Sequence, residues 1–330
     1  MDHPSAPLHG GRLIEARRLF PAAPEPFIDL STGINPLPYP VPPIEPSAWT
    51  RLPEPEDIAA LEAVAAKAYG VADASMAAAV PGTQLLISLL PRLLSQTSAA
   101  ILGPTYGEYA SAFTAAGRQV VEASRVAELR ETPCAVICNP NNPDGRRFDS
   151  GKLLKLLRDR TARGLLVVDE SFADLEGEDL SLAPHLPQAG LLILRSVSKT
   201  YGLGGLRLGF ALTSPEAAAS IRDALGPWPV SGPAIEIGAQ ALADRAWLEA
   251  AKQRLAQDVN RLDAMLRGAG MTILGGAMLF RLAESAEVSD RFNRLGQAGI
   301  LVRRFDYRPT WLRFGIPGSE DEWRRLGAGL

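Results

Sequence analysis

The residues best suited to covalent chemistry lie together in Ser196-Val197-Ser198-Lys199-Thr200-Tyr201-Gly202-Leu203-Gly204-Gly205-Leu206-Arg207. Two serine hydroxyls, a lysine and a glycine-rich turn are followed by an arginine eight residues beyond the lysine. An amine can condense with a carbonyl, while hydroxyls and a guanidinium can hold a phosphate. The set therefore suits a phosphorylated aldehyde cofactor. Taken alone, a strand, a polar turn and a second strand with a solvated lysine would read the same way.

Lysine usage separates these readings. Of the 34 lysines and arginines only five are lysine. Lys67, Lys152, Lys155 and Lys252 fall in stretches patterned as amphipathic, solvent-facing helix. Lys199 alone follows a buried-strand pattern, Leu191-Leu192-Ile193-Leu194. A chain that otherwise draws its positive charge from arginine keeps here the one basic side chain that condenses with an aldehyde.

Other chemistry-bearing residues also follow apolar runs. Pro81-Gly82-Thr83-Gln84 comes after Ala77-Ala78-Ala79-Val80 and before a helical pattern, so its amides would point at an anion. Asn139-Pro140-Asn141-Asn142-Pro143-Asp144-Gly145 follows a further strand pattern as a rigid turn, and an asparagine amide can donate to a phenolate oxygen. Asp169 ends Leu165-Leu166-Val167-Val168, where a carboxylate is costly unless paired; a protonated ring nitrogen or a buried arginine would serve. Tyr106 follows the run at 99–102 and could stack on a heterocycle or simply fill the core. Arg207 stands where a dinucleotide fingerprint needs its third glycine, which excludes that motif.

The elements that must position these residues alternate. Strands are expected at 77–80, 99–102, 119–122, 134–138, 165–168, 191–194 and 206–212. Helices are expected at 56–69, 84–94, 107–116 and 150–163. This implies an α/β fold with a mostly parallel sheet covered on both faces, whose strand ends would gather ligands. Proline is dense between 35 and 55, which predicts an extended connector. A helical tract at 233–268, broken near 244–246, precedes short strands at 278–282 and 300–302. The expected division is a large domain at 40–214 and a smaller α+β lobe from 1–39 and 215–330.

Composition narrows the function classes. A net charge of −3 offers no bulk attraction to nucleic acid or an anionic membrane. The start lacks an apolar signal core and no run reaches spanning length, so the expectation is a cytoplasmic protein. Cys134 and Cys138, four apart on one strand, would be roughly 13 Å apart, too far for a disulfide. Three scattered histidines suggest no metal cluster.

In its order of strand-end asparagine, aspartate, Ser-x-Ser-Lys and arginine, the chain resembles the fold-type I pyridoxal-phosphate enzymes. It is most similar to their histidinol-phosphate aminotransferase branch, and within it to the threonine-phosphate decarboxylases of cobalamin biosynthesis. The resemblance runs from His9-Gly10-Gly11 to Leu312-Arg313-Phe314-Gly315. It implies that Lys199 forms the Schiff base with pyridoxal 5′-phosphate and that Asp169 meets the ring nitrogen. Asn142 would donate to the ring oxygen O3′ and Tyr106 would stack on the ring. Gly82, Thr83, Gln84, Ser196, Ser198 and Arg207 would bind the phosphate. His9, Gly10, Gly33, Asn142, Arg303 and Arg313 would meet a phosphorylated amino acid substrate. The implied reaction is decarboxylation of O-phospho-L-threonine to (R)-1-aminopropan-2-yl phosphate by a homodimer. The alternatives are a histidinol-phosphate aminotransferase and a non-catalytic small-molecule binding protein. Phe172, Leu52 and Asp144 depart from the aminotransferase pattern of tyrosine, tyrosine and threonine. Phe172 is shared with the decarboxylases.

Overall fold

The computed structural model describes residues 9–94, 97–161, 164–177 and 179–330. The extreme start, on which the reading of a signal-free terminus rests, lies outside the described residues, as does the expected helix end at 162–163. Among the described residues the strands in chain order begin with β1 (Ile28–Leu30), β2 (Ala77–Val80), β3 (Ser98–Leu102) and β4 (Gln119–Ala123). They continue with β5 (Cys134–Cys138), β6 (Leu165–Asp169), β7 (Leu191–Ser196) and β8 (Gly209–Leu212). The last are β9 (Thr272–Ala277), β10 (Phe280–Glu284), β11 (Ile300–Arg304) and β12 (Trp311–Gly315).

The larger of two compact units spans Pro38–Asn142 and Arg146–Leu248. Its seven-stranded sheet has the order β2-β8-β7-β6-β5-β3-β4. The strands from β7 through β4 pair in parallel, and β8 runs antiparallel to both β7 and β2. Alternate residues enter two separate cores. Ala77, Ala79, Ile137, Val168 and Ile193 pack in one, while Ala78, Val80, Val136, Val167 and Leu192 pack in the other. That is how a strand's period of two covers both faces of a sheet with side chains. The helix Pro55–Tyr69 starts with a capping box between Glu54 and Asp57 and stops at Gly70, φ 73°.

Some expectations shift. The proline-dense connector contains a short helix, Pro46–Thr50, because Pro46 pre-sets the first-turn φ. β8 starts at Gly209, three residues after the expected Leu206, because a 3₁₀ turn, Gly204–Leu206, and a left-handed Arg207 intervene. The larger unit also extends past residue 214. Helix Pro215–Leu225 packs on β2 and helix Gly232–Ala243 on Pro55–Tyr69, with Ala218 and Ile221 in one core and Ala234 and Leu242 in the other. Their apolar faces complete the sheet's cover, which holds them there.

The smaller unit comprises the described part of Met1–Leu37, Pro143–Gly145 and Glu249–Leu330. Its five-stranded sheet has the order β1-β11-β12-β10-β9. Pro143–Gly145 packs backbone against backbone on β9: a Cβ on Gly145 (φ +70°) would lie 2.1 Å from the Gly276 carbonyl carbon. Position 145 therefore requires glycine, and so does 276, where a Cβ would lie 2.3 Å from the Phe280 carbonyl oxygen.

Candidate active site

The lysine leaves a fully buried strand. β7 ends at Ser196, which starts the short helix Val197–Thr200 without a side-chain capping bond. Ser196 and Ser198 are buried and Lys199 is half-buried. Lys199 Nζ lies 5.6 Å from the ring centroid of Phe172. An ammonium over an aromatic face gains roughly 0.5–2 kcal/mol. The phenylalanine that replaces the aminotransferase tyrosine thus packs by the amine.

Downstream, Arg207 is the only described non-glycine residue with positive φ, 54°. A left-handed arginine is strained and tends to mark a functional site. Its Nη1 donates to the Gly204 carbonyl at 3.0 Å. Its Nη2 lies where a side chain on Gly82 would go: a Cβ there would come within 2.7 Å. Gly82 (φ +79°) precedes the helix Thr83–Leu93, whose first amides lack helical partners. Gly209 abuts the same turn, since a Cβ on it would sit 3.1 Å from Thr83 N. The Arg207 guanidinium and the helix N-terminal amides thus meet at this turn, with Ser196 opposite Gly209 on the neighbouring strand, donors of a kind that could hold a phosphate, and the left-handed φ of Gly82 disfavours any side chain there. Gly82→Ala is accordingly expected to weaken cofactor binding by about tenfold or more, with the melting temperature of the cofactor-free protein lowered by a few degrees. Fluorescence titration and thermal unfolding would measure both. Unchanged affinity would separate Gly82 from phosphate binding.

Gln84 uses its side chain elsewhere. Tyr106 donates from its hydroxyl to Gln84 Oε1 (2.8 Å), and Gln84 Nε2 donates to Glu108 (3.0 Å). Burial, then Glu108, then Asp169 push the Tyr106 phenol up to about 12. Tyr106 keeps its proton at neutral pH and holds its ring through Gln84.

Asp169 ends β6 and is 7% exposed. Its Oδ1 accepts the Ser171 N–H at 2.9 Å and its Oδ2 accepts the Tyr109 hydroxyl at 2.8 Å. Tyr109 is wholly buried, and burial followed by the Asp169 charge holds its phenol well above the ordinary value. Tyr109 escaped the sequence reading. Its signal was its place one helical turn after Tyr106 in Tyr106-Gly107-Glu108-Tyr109.

The asparagine turn is braced by two of its asparagines. Asn139 donates to the Phe148 carbonyl (2.8 Å) and accepts from the Phe148 N–H (2.9 Å). Asn141 accepts from the Thr105 hydroxyl (2.6 Å) and donates to the Pro104 carbonyl (2.9 Å). Asn142, the expected cofactor donor, is half-buried beside them.

The remaining candidates lie in the smaller unit and converge on Ser31. Gly11 N–H donates to Ser31 Oγ (2.8 Å), which donates to Asp29 (2.5 Å). A Cβ on Gly10 would lie 2.4 Å from the Ser31 carbonyl oxygen. Arg313 Nη2 donates to that same carbonyl (2.6 Å) and to the carbonyl of Thr32 (3.3 Å), beside the left-handed Gly33. Arg303 faces Arg313 directly across the β11–β12 pair. Like charges in register repel, and burial, then Arg303, lower the pKa of Arg313. The Asp29 carboxylate acts on Arg313 in the opposite sense. His9, Ser31 and Arg303 line one recess.

The class I and II aminotransferase family model matches residues 44–328. The chain belongs to the class I and II aminotransferase family. Among relatives of this family member, the threonine-phosphate decarboxylase of Sinorhizobium sp. is 42% identical, over 99% of this chain and 98% of its own. The threonine-phosphate decarboxylase of Pseudomonas aeruginosa is 39% identical, over 98% and 96%. A histidinol-phosphate aminotransferase from Sinorhizobium meliloti, solved in complex with pyridoxal-5′-phosphate, shares the aminotransferase fold with a TM-score of 0.81. It is 20% identical and covers 99% of this chain and 97% of its own.

Proposed function

We propose that this chain is a pyridoxal-phosphate-dependent threonine-phosphate decarboxylase that converts O-phospho-L-threonine into (R)-1-aminopropan-2-yl phosphate and CO₂ for cobalamin biosynthesis. The observation that carries this is the match along nearly the whole chain to two relatives of that name, at 42% and 39% identity. When bound, pyridoxal phosphate supplies an electron sink for the pair left on Cα as CO₂ departs.

The chain's own residues then have distinct tasks. Lys199 is the amine for the cofactor's aldehyde carbon and a proton donor to Cα. Asp169, with its two oxygens fixed by Ser171 and Tyr109, holds the proton on the ring nitrogen. Tyr106 supports the ring and Asn142 donates to the ring oxygen O3′. Arg207, Ser196, Ser198 and the turn Gly82-Thr83-Gln84 hold the phosphate. Arg303 and Arg313, with His9, Gly10 and Gly33, recognise the anionic groups of the substrate. By fixing the substrate's orientation, these residues would decide which Cα bond breaks.

The histidinol-phosphate aminotransferase alternative keeps the fold and cofactor, yet the two relatives at 42% and 39% identity do not carry that name, and the solved structure that does is 20% identical. A binding protein without catalysis would have no use for an amine set beside Phe172. We also read the enzyme as a cytoplasmic homodimer. Trp49, Leu52 and Trp228, 68%, 62% and 55% exposed in the larger unit, offer apolar surface for a second copy. Among the described residues no helix is long and apolar enough to cross a membrane.

Purified protein loaded with cofactor is expected to release CO₂ from phosphothreonine with no keto acid added. It should yield little product from histidinol phosphate and 2-oxoglutarate. Measured CO₂ and glutamate distinguish the outcomes: glutamate without CO₂ would establish the aminotransferase reading.

A further inference from the structure

We propose that Arg195 is a positioning residue: its guanidinium, held by Glu170 and Asp174, fixes the spacing between the strand end bearing Asp169, the turn bearing Phe172 and the helix bearing Lys199. This rests on the reading of Lys199 and Asp169 as cofactor ligands.

Arg195 immediately precedes Ser196 on β7, and its side chain is 7% exposed. Nη1 donates to Glu170 Oε2 at 2.7 Å and Nη2 donates to Asp174. Glu170, the residue after Asp169, has a fully buried side chain that also accepts from the Leu182 N–H (2.8 Å) and the Ser181 hydroxyl (2.6 Å). Its own N–H donates to the Leu194 carbonyl at 2.9 Å, extending the β6–β7 pairing that sets Asp169 opposite Leu194. Asp174 belongs to the 3₁₀ turn Ala173–Leu175, which Phe172 leads into. One side chain on the lysine's strand therefore ties down the neighbours of both Asp169 and Phe172.

The network touches none of the reacting groups. Arg195 lies over the ring of Tyr69 at 4.3 Å, in the core on one face of the sheet, while Asp169 bonds Tyr109 in the core on the other. Its influence passes through the backbone of β6 and β7. Stability alone does not explain it, because buried ion clusters can often be replaced by apolar side chains without loss. A planar fork bridging two carboxylates does fix geometry, and a lysine cannot reproduce it.

The test uses Arg195→Lys, whose single ammonium can satisfy one carboxylate, and Glu170→Gln, which keeps shape but removes charge. Both are expected to keep the far-ultraviolet circular dichroism and a borohydride-sensitive visible band with pyridoxal phosphate. Their kcat for phosphothreonine should fall about tenfold while KM stays within about twofold. The circular dichroism induced in the bound chromophore, which reports its orientation, should change in amplitude at saturating cofactor. Wild-type kcat and wild-type induced signal in both variants would overturn the proposal. So would a kcat loss that follows thermal destabilisation with the induced signal unchanged. If Arg195→Lys does not fold, Glu170→Gln decides by the same measurements; failure of both to fold would assign the network to folding and overturn the positioning role. A wild type with no borohydride-sensitive band would remove the underlying reading, and this inference with it.

Discussion

Lys199→Ala is expected to give a folded protein that binds pyridoxal phosphate reversibly and has lost turnover by roughly 10²–10⁴-fold, the range for a missing positioned acid–base group. At the upper end this raises the barrier by about 5 kcal/mol. The fold should survive because Lys199 is half-buried in the short helix Val197–Thr200, where alanine has the best propensity. The structural loss includes the contact with Phe172, worth up to about 2 kcal/mol. The phosphate donors around Gly82 and Arg207 are untouched, so cofactor should still bind, now without a covalent link. Borohydride followed by intact-mass measurement separates the cases: wild type retains the cofactor's mass and the variant does not. A variant that turns over at the wild-type rate would mean that Lys199 is not the amine.

Much of this candidate site was legible because ligand-binding side chains in an α/β protein gather at strand ends and so follow apolar runs. Asp169, Lys199 and the Gly82 turn stood out as polar residues ending or following stretches that only a buried strand explains, and β6, β7 and β2 end there. The proposed phosphate-binding role of Arg207 was suggested by its offset from Lys199. What the sequence could not show was that Arg207 would turn left-handed, delay β8 and lay its guanidinium where Gly82 has no side chain. That contact joins residues 125 positions apart and depends on the pairing of β8 with both β2 and β7.

Residues that act through others were least visible. Tyr109 reads as a core aromatic, and only the packing of its helix onto the sheet brings its hydroxyl to Asp169. Arg195 follows the apolar run Leu191-Leu192-Ile193-Leu194, and only the fold reveals the buried carboxylates that a charge there needs. The domain border was misplaced for a related reason. The last strand of the larger unit's sheet ends at Leu212, but the sheet still needed the apolar faces of Pro215–Leu225 and Gly232–Ala243 to cover it. Strand periodicity locates the sheet, while the border depends on where the covering helices stop.

Asp169→Asn should be nearly as damaging as loss of the lysine, by a different route. The change preserves volume and most local bonding. An asparagine oxygen can accept the Ser171 N–H, while its amide meets Tyr109, whose hydroxyl can rotate from donating to accepting. The fold should therefore hold, with the melting temperature lowered by a few degrees at most. What disappears is the negative charge that, in the proposed role, would keep a proton on the cofactor's ring nitrogen. A charge-assisted hydrogen bond contributes about 1.5–3 kcal/mol, so cofactor affinity should fall by roughly 10–150-fold. At saturating cofactor, kcat should remain depressed, because an unprotonated ring is a poorer electron sink at the Cα whose carboxylate leaves. Measuring kcat across cofactor concentrations separates binding from chemistry. Recovery of the wild-type rate at high cofactor would limit Asp169 to binding, and a wild-type rate throughout would make it structural. Tyr109→Phe in the same assay is the control for geometry, because it removes a hydrogen bond from Asp169 but leaves its charge.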